Sequence, residues 1–457
     1  MEEISIRSVA RKRAFWKQLL TLVIPIAVQY LLSNAVNSAD VVMIGKVGQE
    51  ELSAVSLANQ FQFLMSGLAF GLNSGITMLV SQYWGKKETD AVQIVLGIAL
   101  RIIFVISMLI ALSTFFFPQR MMRIYTADET LISIGADYLH ILAPAYLLWG
   151  ISDAYQAMLR SLEKAGKATV FSSSALILNV ILNAVFIFGL AGLPAMGVKG
   201  AALATVIARA VEFALCMIDA ASGRTLKFSL KRVFGHNRAL TKDYFRYAVP
   251  AALNDISWTL AFSTYSIIMG HLNADIVAAN SVAVTIRDLC TVVAYSVGAG
   301  ACVMIGIKIG EGNQAEAKAQ ADLFCWLSLA LGVFTGIVII LIRPIVFRYF
   351  ALTGRAQGYL NKMMLISSYY VVGQIMNTLW IGGIFRSGGN TRWGLICDTV
   401  TMWCVSVPLG FFCAFVLKLQ PMVVYFILCL DEFWKIPIVY RHYRKYTWLK
   451  DITREIT

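Results

Sequence analysis

Long apolar runs, each interrupted by few or no charges, follow one another through almost the whole of this 457-residue chain. Twelve are counted, at about 18–44, 52–81, 91–117, 132–159, 168–192, 196–220, 245–270, 275–307, 320–344, 359–385, 391–417 and 420–440. A membrane-crossing helix needs about 20 predominantly apolar residues, so each run is long enough to span a bilayer. A soluble core cannot hide this much apolar surface. Of all residues, 58% are apolar and 14% charged, against roughly 45–50% and 25% in soluble domains. Secreted, disordered, coiled-coil and cytosolic-enzyme classes are excluded on that ground. The sequence predicts an all-α membrane protein of twelve transmembrane helices, with short connections and no sizeable soluble domain.

The formal net charge of +13 raises the question of nucleic acid, and the placement of the charges answers it. With the N-terminus cytoplasmic, 26 of the 39 Lys and Arg fall on cytoplasmic segments and nine on the opposite side. Four more, Arg101, Arg209, Arg287 and Lys435, lie inside or at the ends of spans. This is the positive-inside pattern. It predicts a multi-pass protein of the cytoplasmic (inner) membrane with both termini in the cytoplasm, in contact with membrane lipids and with no nucleic-acid partner. Arg11, Lys12 and Arg13 precede an apolar stretch too long for a cleavable signal, so that stretch is expected to remain as the first helix. All eight cysteines fall in apolar spans without a Cys-x-x-Cys pair, which supports neither a disulfide framework nor a metal site.

The nine prolines reveal a repeat. Pro25 and Pro250 are 225 residues apart, Pro118 and Pro344 226, and Pro194 and Pro421 227. Ile24-Pro25-Ile26-Ala27 matches Val249-Pro250-Ala251-Ala252, and Gly45, Ala54, Gly75 and Gly85 meet Gly270, Ala279, Gly300 and Gly310. Arg160-Ser161 falls 226 residues before Arg386-Ser387. Six helices per copy is an even number, so both copies enter the membrane the same way round. The expectation is two pseudo-symmetric six-helix bundles as parallel repeats, an arrangement of secondary transporters that bind substrate between the halves. The boundaries read as a basic cytoplasmic N-terminus at 1–17, a first lobe at 18–221, a linker at 222–244, a second lobe at 245–440 and a cytoplasmic tail at 441–457.

These residues resemble the multidrug and toxic compound extrusion (MATE) family of bacterial type. The resemblance runs from the first helix to the twelfth. It rests on Ile24-Pro25-Ile26-Ala27, Asn37, Asp40, Met43, Gly45 and Gly48. It continues through Gly71, Gly75, Ser81-Gln82-Tyr83, Gly85, Leu159-Arg160, Gly166 and Gly197-Val198-Lys199-Gly200-Ala201-Ala202. It implies a cation-coupled exporter of organic cations or amphipathic drugs, working by alternating access as a monomer.

A carrier that pumps against a gradient needs a group that changes charge or ligand state, and an ionisable residue at bilayer depth is a candidate by default. Asp40 stands about fifteen residues after Pro25 in an apolar helix, and its counterpart in the second copy is Tyr265. Asn179 and Asn183, four apart, share a helix face and can complete an oxygen-rich cage with Asp40, with Thr205 adding a hydroxyl. The chemistry suits a proton or a sodium ion. The resemblance implies the same set, a first-helix Asp acting with polar residues on the fifth and sixth helices; Asn183 stands where some members carry a second carboxylate. Asp153, Asp255 and Asp288 are secondary candidates, and Asp398 is an intramembrane charge of no assigned role. Arg287 with Asp288 or Asp255 reads as a buried ion pair. Pro25 removes a backbone donor in mid-helix, and the resemblance implies that bending there accompanies protonation. Gln29, Tyr30, Trp149, Tyr155, Trp258, Tyr265, Gln374, Asn377 and Trp380 are candidates for a substrate cavity.

No nucleotide-binding loop and no zinc-protease motif occurs, so the chain reads as a non-enzyme driven by an ion gradient, without a cofactor beyond the coupling H+ or Na+. Two alternatives stand beside this reading. One is a lipid-linked precursor flippase of the same superfamily fold, which tends to carry two extra helices and a cationic cavity. The other is a membrane channel or membrane-embedded enzyme.

Overall fold

A computed structural model describes residues 2–190, 192–235, 237–272, 274–349 and 354–455. The side chains of residues 2–12, Arg7, Arg11 and Lys12 among them, lie outside the described residues. The described chain is helical throughout, in twelve long segments. The first six are α1 (Glu2–Gly45), α2 (Gln49–Gly85), α3 (Thr89–Phe116), α5 (Glu129–Ser161), α6 (Ala165–Phe188) and α7 (Gly197–Ser222), with the short α4 (Pro118–Met122) between the third and fourth segments. After α8 (Leu230–Val233) come α9 (Arg238–Gly270), α10 (Ala274–Gly310), α11 (Gln314–Tyr349) and α12 (Gly354–Asn377), which continues as a π-helix over Thr378–Phe385. The eleventh segment joins α13 (Thr391–Thr399) and α14 (Val407–Phe411) through π-helical stretches, and the twelfth is α15 (Pro421–Leu428) with α16 (Asp431–Arg444). The all-α, six-plus-six architecture is the one the repeat predicts.

Among the described residues, nine helices are long and apolar enough to cross a membrane. The remaining three segments are interrupted by side chains that the apolar environment must accommodate. Asn254 and Asp255 break the run in α9, and Ser367, Gln374 and Asn377 break it in α12. The last segment turns at Cys429 and carries Asp431, Glu432 and Lys435. Lipid-facing surface is evident elsewhere: Trp326, Phe334 and Leu341 on α11 are 73%, 63% and 66% exposed, as expected where hydrocarbon rather than water surrounds the helix.

The duplication extends to backbone strain. Positive φ angles occur at Lys87 (62°) and Glu163 (61°) in the first half, and at Gly312 (75°) and Gly389 (71°) in the second. The pairs are separated by 225 and 226 residues, the repeat offsets found from the prolines. The same left-handed turns therefore follow α2 and α10, and α5 and the α12 segment. The second half uses glycine, which adopts this conformation freely, and the first half uses residues whose Cβ opposes it. Gly85 and Gly310, also repeat partners, meet where α2 and α10 end: an added Cβ at Gly85 would strike the backbone of Ile307, and one at Gly310 that of Gln82.

By packing, the chain divides into two compact units. One holds Ile24–Val80 and Lys87–Phe245; the other holds Met1–Val23, Ser81–Lys86 and Arg246–Thr457. α1 thus changes unit next to Pro25, and α9 changes four residues before Pro250. Both prolines lie inside their helices. The core of the first unit joins α2, α5 and α7 through Phe61, Met65, Leu139, Leu142, Tyr146 and Ala202. In the other unit, Gln82 secures the C-terminal tail: its amide nitrogen donates to the carbonyls of Ser387 (2.7 Å) and Lys450 (3.1 Å), and its oxygen accepts from the Ile452 N–H (2.9 Å). Arg454 N–H donates to the Tyr83 hydroxyl (3.0 Å), and Lys86 pairs with Asp451 at 2.9 Å. The Ser81-Gln82-Tyr83 motif is accordingly an anchor for the tail.

Candidate cation-coupling site

Three helices of the first half bring four of the sequence-predicted residues together. Asn183 Nδ2 on α6 donates to Asp40 Oδ1 on α1 at 2.6 Å and to Asn179 Oδ1 at 3.2 Å. Asn179 Nδ2 donates to Thr205 Oγ1 on α7 at 3.2 Å, and that hydroxyl donates to the Ala201 carbonyl at 3.0 Å. The i, i+4 spacing of the two asparagines places both amides on one face of α6, as a helix requires. Both are buried, and Asn183 Oδ1 has no hydrogen-bond partner among the described residues. A buried acceptor left unpaired is costly. Here it stands on the same amide that donates to the only carboxylate of the group. Among the described residues, no Lys or Arg lies within ion-pair distance of Asp40; Arg209 on α7 and Tyr138 on α5 are the charged and titratable neighbours that act on it electrostatically. The arrangement offers a carboxylate, two amide oxygens and a hydroxyl, which is the donor set for a hard cation or for a proton shared between carboxylate and amide.

The other polar residues of this half form separate networks. Asp153 accepts from Asn73 Nδ2 at 2.5 Å and lies 3.8 Å from Arg160. Arg209 pairs with Glu212 at 2.7 Å, and Gln156 Nε2 donates to the same carboxylate at 2.8 Å. Tyr155 is buried with its hydroxyl donating to Asp219 Oδ2 (2.9 Å), while Lys167 holds the other oxygen of Asp219 at 2.7 Å. The acidic members Glu212 and Asp219 had a legible signal. With Thr205 and Arg209 they fall at i, i+4, i+7 and i+14, one face of an otherwise apolar α7.

In the second half, Asp255 pairs with Arg386 at 2.6 Å, so its partner is Arg386 and not Arg287. Arg287 lies 3.7 Å from the largely exposed Asp288, with its guanidinium over the rings of Phe262 and Tyr370 at 5.1 and 5.4 Å. Asp398 enters a cluster that sequence reasoning missed. Lys435 Nζ donates to Asp398 Oδ1 (3.0 Å) and Glu432 Oε1 (2.9 Å). Asn254 Nδ2 donates to Asp398 Oδ2 at 3.1 Å, and Asn377 Nδ2 to Glu432 Oε2 at 2.7 Å. The Tyr265 hydroxyl donates to Asp431 Oδ2 at 3.2 Å. The signal was Asp431, Glu432 and Lys435 in a stretch counted as one apolar run, with Glu432 and Lys435 at helical i, i+3 spacing.

Of the remaining cavity candidates, Gln29 is half-buried and Tyr30 exposed on α1. Trp258 packs against Phe262 at 4.2 Å. Gln374 donates to the Tyr295 hydroxyl at 3.3 Å and Trp380 to Ser328 at 3.2 Å, both buried; Trp149 is half-buried on α5. Tyr155, Tyr265 and Asn377 spend their polar groups inside the networks above.

Comparison with known proteins follows the same division. The MatE family profile matches residues 25–185 and again 250–412, once in each half. The chain is 24% identical over 418 residues to the probable multidrug resistance protein YoeA of Bacillus subtilis, covering 90% of this chain and 89% of that one. It is 24% identical over 408 residues to a probable multidrug resistance protein NorM of Pasteurella multocida, covering 86% and 85%. A MATE protein solved in a bent conformation superposes with a TM-score of 0.86 at 19% identity over 94% of each chain. An outward-facing multidrug resistance MATE transporter gives 0.85 at 19% identity over 94% of this chain and 95% of the other. These superpositions establish the fold, and the profile, matched twice over well more than half of the residues, establishes the kinship. The chain belongs to the MatE family of multidrug efflux transporters.

Proposed function

We propose that this protein is a cation-coupled antiporter that exports organic cations or amphipathic drugs in exchange for H+ or Na+, with Asp40 as the coupling carboxylate. The observation that carries the reading is the Asn183–Asp40 hydrogen bond of 2.6 Å beside an unpartnered amide oxygen. One carboxylate at membrane depth, met by the neutral Asn183 amide and, among the described residues, by no Lys or Arg within ion-pair distance, has two available states. With a proton, the carboxyl turns from acceptor to donor, and the Asn183 amide must turn its oxygen toward it. With Na+, the oxygens of Asp40, Asn183, Asn179 and Thr205 share the ion. Either exchange rearranges α1 against α6 and α7. A difference in these contacts between two carrier states is what lets cation binding shift the balance between them. Pro25, which leaves a carbonyl of α1 without its helical donor, is the place where α1 can bend in response. The names of the relatives, multidrug resistance proteins, support a small-molecule substrate.

The protein is proposed to sit in the cytoplasmic membrane with both termini inside, oriented by its Lys- and Arg-rich segments, and to work as a monomer. The test is efflux of a fluorescent organic cation from proteoliposomes with proton and sodium gradients imposed separately. Export driven by one of the two gradients supports the antiporter. Flux that ignores both, following the substrate gradient alone, contradicts it.

A further inference from the structure

We propose that Asp431 is a second proton-holding carboxyl of the carrier, built into the second half at the place that corresponds to Asp40 in the first. Three observations lead there.

The first is charge. Asp398, Asp431 and Glu432 are 5%, 0% and 2% exposed, and the one ammonium among them, Lys435, is 1% exposed. Lys435 is bonded to Asp398 and Glu432. Asp431 has no Lys or Arg within ion-pair distance among the described residues. Crediting Arg287 to the cluster still leaves three negative groups against two positive ones. A buried, unpaired carboxylate is too costly to keep charged, and such a group neutralises itself by taking up a proton. A metal ion is the poorer counter-charge, because Asp398 and Glu432 converge on the Lys435 ammonium and not on an empty point.

The second is unused hydrogen-bonding capacity. Asn254 and Asn377, both more than nine-tenths buried, bond the cluster through their nitrogens, and the oxygens of both amides have no partner among the described residues. The cluster is short of donors, and a proton on a carboxyl supplies one.

The third is the repeat. Tyr265 is the residue 225 positions after Asp40, and its hydroxyl is the group that meets Asp431 Oδ2. Thr205 of the first-half site has its counterpart, at the offset of 227 given by Pro194 and Pro421, in Glu432. Both halves thus place a carboxyl that links the first and sixth helices of the repeat, through Asn183 and Asn179 of the fifth helix in the first half and by a direct bond to Tyr265 in the second. The first half supplies it from the first helix and the second half from the sixth.

The step involves no change of redox state. A proton from solution adds to Asp431 Oδ2, the Tyr265 bond reverses so that the carboxyl donates to the phenol oxygen, and loss of the proton restores the original bond. The groups that face Asp431 and set its response are Tyr265 on α9 and Tyr369 and Tyr370 on α12, with Cys429, Glu432 and Lys435 on its own segment; Asp398 on α13 acts through Lys435, to which it is bonded.

The proposal deepens the antiporter reading, but its first test does not depend on transport. Infrared difference spectra of the purified protein across a pH titration should contain a protonated-carboxyl C=O band that persists in Asp40→Asn, vanishes in Asp431→Asn and shifts in Tyr265→Phe. Sodium at fixed pH should leave that band unchanged. A spectrum in which Asp431→Asn keeps every band of the wild type overturns the proposal, as does removal of the band by sodium. If Asp431→Asn does not fold, an unshifted band in Tyr265→Phe overturns it. Exchange during the cycle is read separately in vesicles: the proton-to-substrate ratio should fall by one in Asp431→Asn, and an unchanged ratio shows that the proton is static and contradicts a coupling role. Loss of coupling in Asp40→Asn alone bears on the antiporter reading and not on this one.

Discussion

Both halves bring together polar side chains from the first, fifth and sixth of their six helices, and they use them differently. In the first half, one carboxylate heads a chain of two amides and a hydroxyl, and among the described residues no Lys or Arg lies within ion-pair distance of it. In the second, two of three carboxylates hold one ammonium, the third, Asp431, meets the Tyr265 hydroxyl, and two amides donate to the paired carboxylates. The first arrangement is neutral apart from Asp40, whose charge has no fixed counter-ion within ion-pair distance among the described residues. The second brings its own fixed cation, Lys435, which balances only one of its three carboxylates. Duplication has kept the scaffold, down to the left-handed turns after equivalent helices, while the chemistry of the two sites has diverged. The arginines show the same divergence: Arg160 lies 3.8 Å from an aspartate on its own helix, and its repeat partner Arg386 lies 2.6 Å from one on α9.

The contrast can be broken most sharply at Lys435. Lys435→Ala strands Asp398 and Glu432 as buried charges without a partner, and breaking a buried ion pair from one side costs about 3–5 kcal/mol. Thermal unfolding in detergent should record that loss, and the neutral triple replacement Asp398→Asn, Glu432→Gln, Lys435→Met should recover most of it. An unchanged unfolding temperature in Lys435→Ala means that the cluster is solvated and the contrast false. In the first half, Asn183→Ala removes the hydrogen bond to Asp40 without stranding a charge pair. The expected result is weaker cation binding by about 1.5–3 kcal/mol, the range for a hydrogen bond to a charged group, at nearly normal thermal stability. An equal loss of stability in both variants would merge two sites that are held here to be distinct.

Smaller effects probe the shared scaffold. Lys87→Gly relieves a φ of 62° that the second half already relieves with Gly312. It should stabilise the protein by up to about 1 kcal/mol, measured as a higher unfolding temperature; a drop shows that the Lys87 side chain contributes more than its backbone strain costs. The smallest effect lies in the tail. Burial raises the pKa of Asp451, but hydrogen bonds from Thr453 and Lys86 outweigh it, and the carboxyl is held below the usual range. The stabilisation is present above the ordinary aspartate pKa of about 3.9 and fades as the pH falls through the lowered value. Proteolytic cleavage of the tail should therefore accelerate below about pH 4, and Lys86→Ala should flatten that dependence. Equal cleavage rates at neutral and acid pH would remove Asp451 from the docking of the tail.

The sequence reveals the duplicated helical scaffold because apolar runs and proline spacing are local signals. The first-half site is legible for a related reason. Asp40 is an isolated charge in an apolar run, and Asn179 and Asn183 advertise a shared face by their spacing alone. The second-half cluster escapes because its members come from α9, α12, α13 and α16, and only tertiary packing brings Asn254, Asn377, Asp398 and Lys435 together. Hydropathy also misleads in this region: a span counted over 420–440 still averages as apolar although Asp431, Glu432 and Lys435 stand in its middle. Tyr265 illustrates the difficulty. As a neutral residue opposite Asp40 in the repeat, it suggests that the second half lacks a carboxyl there. The carboxyl is present but arrives from another helix.

The central claim is that Asp40 couples cation movement to export, and a comparison of two proteins tests it most directly. Wild type and Asp40→Asn are reconstituted in equal amounts, and efflux of a fluorescent organic cation is followed under an imposed proton gradient and then a sodium gradient. Gradient-driven export by the wild type, with Asp40→Asn falling to the level of empty vesicles while keeping the wild-type unfolding temperature, is the predicted result. Undiminished gradient-driven export by Asp40→Asn would contradict the account.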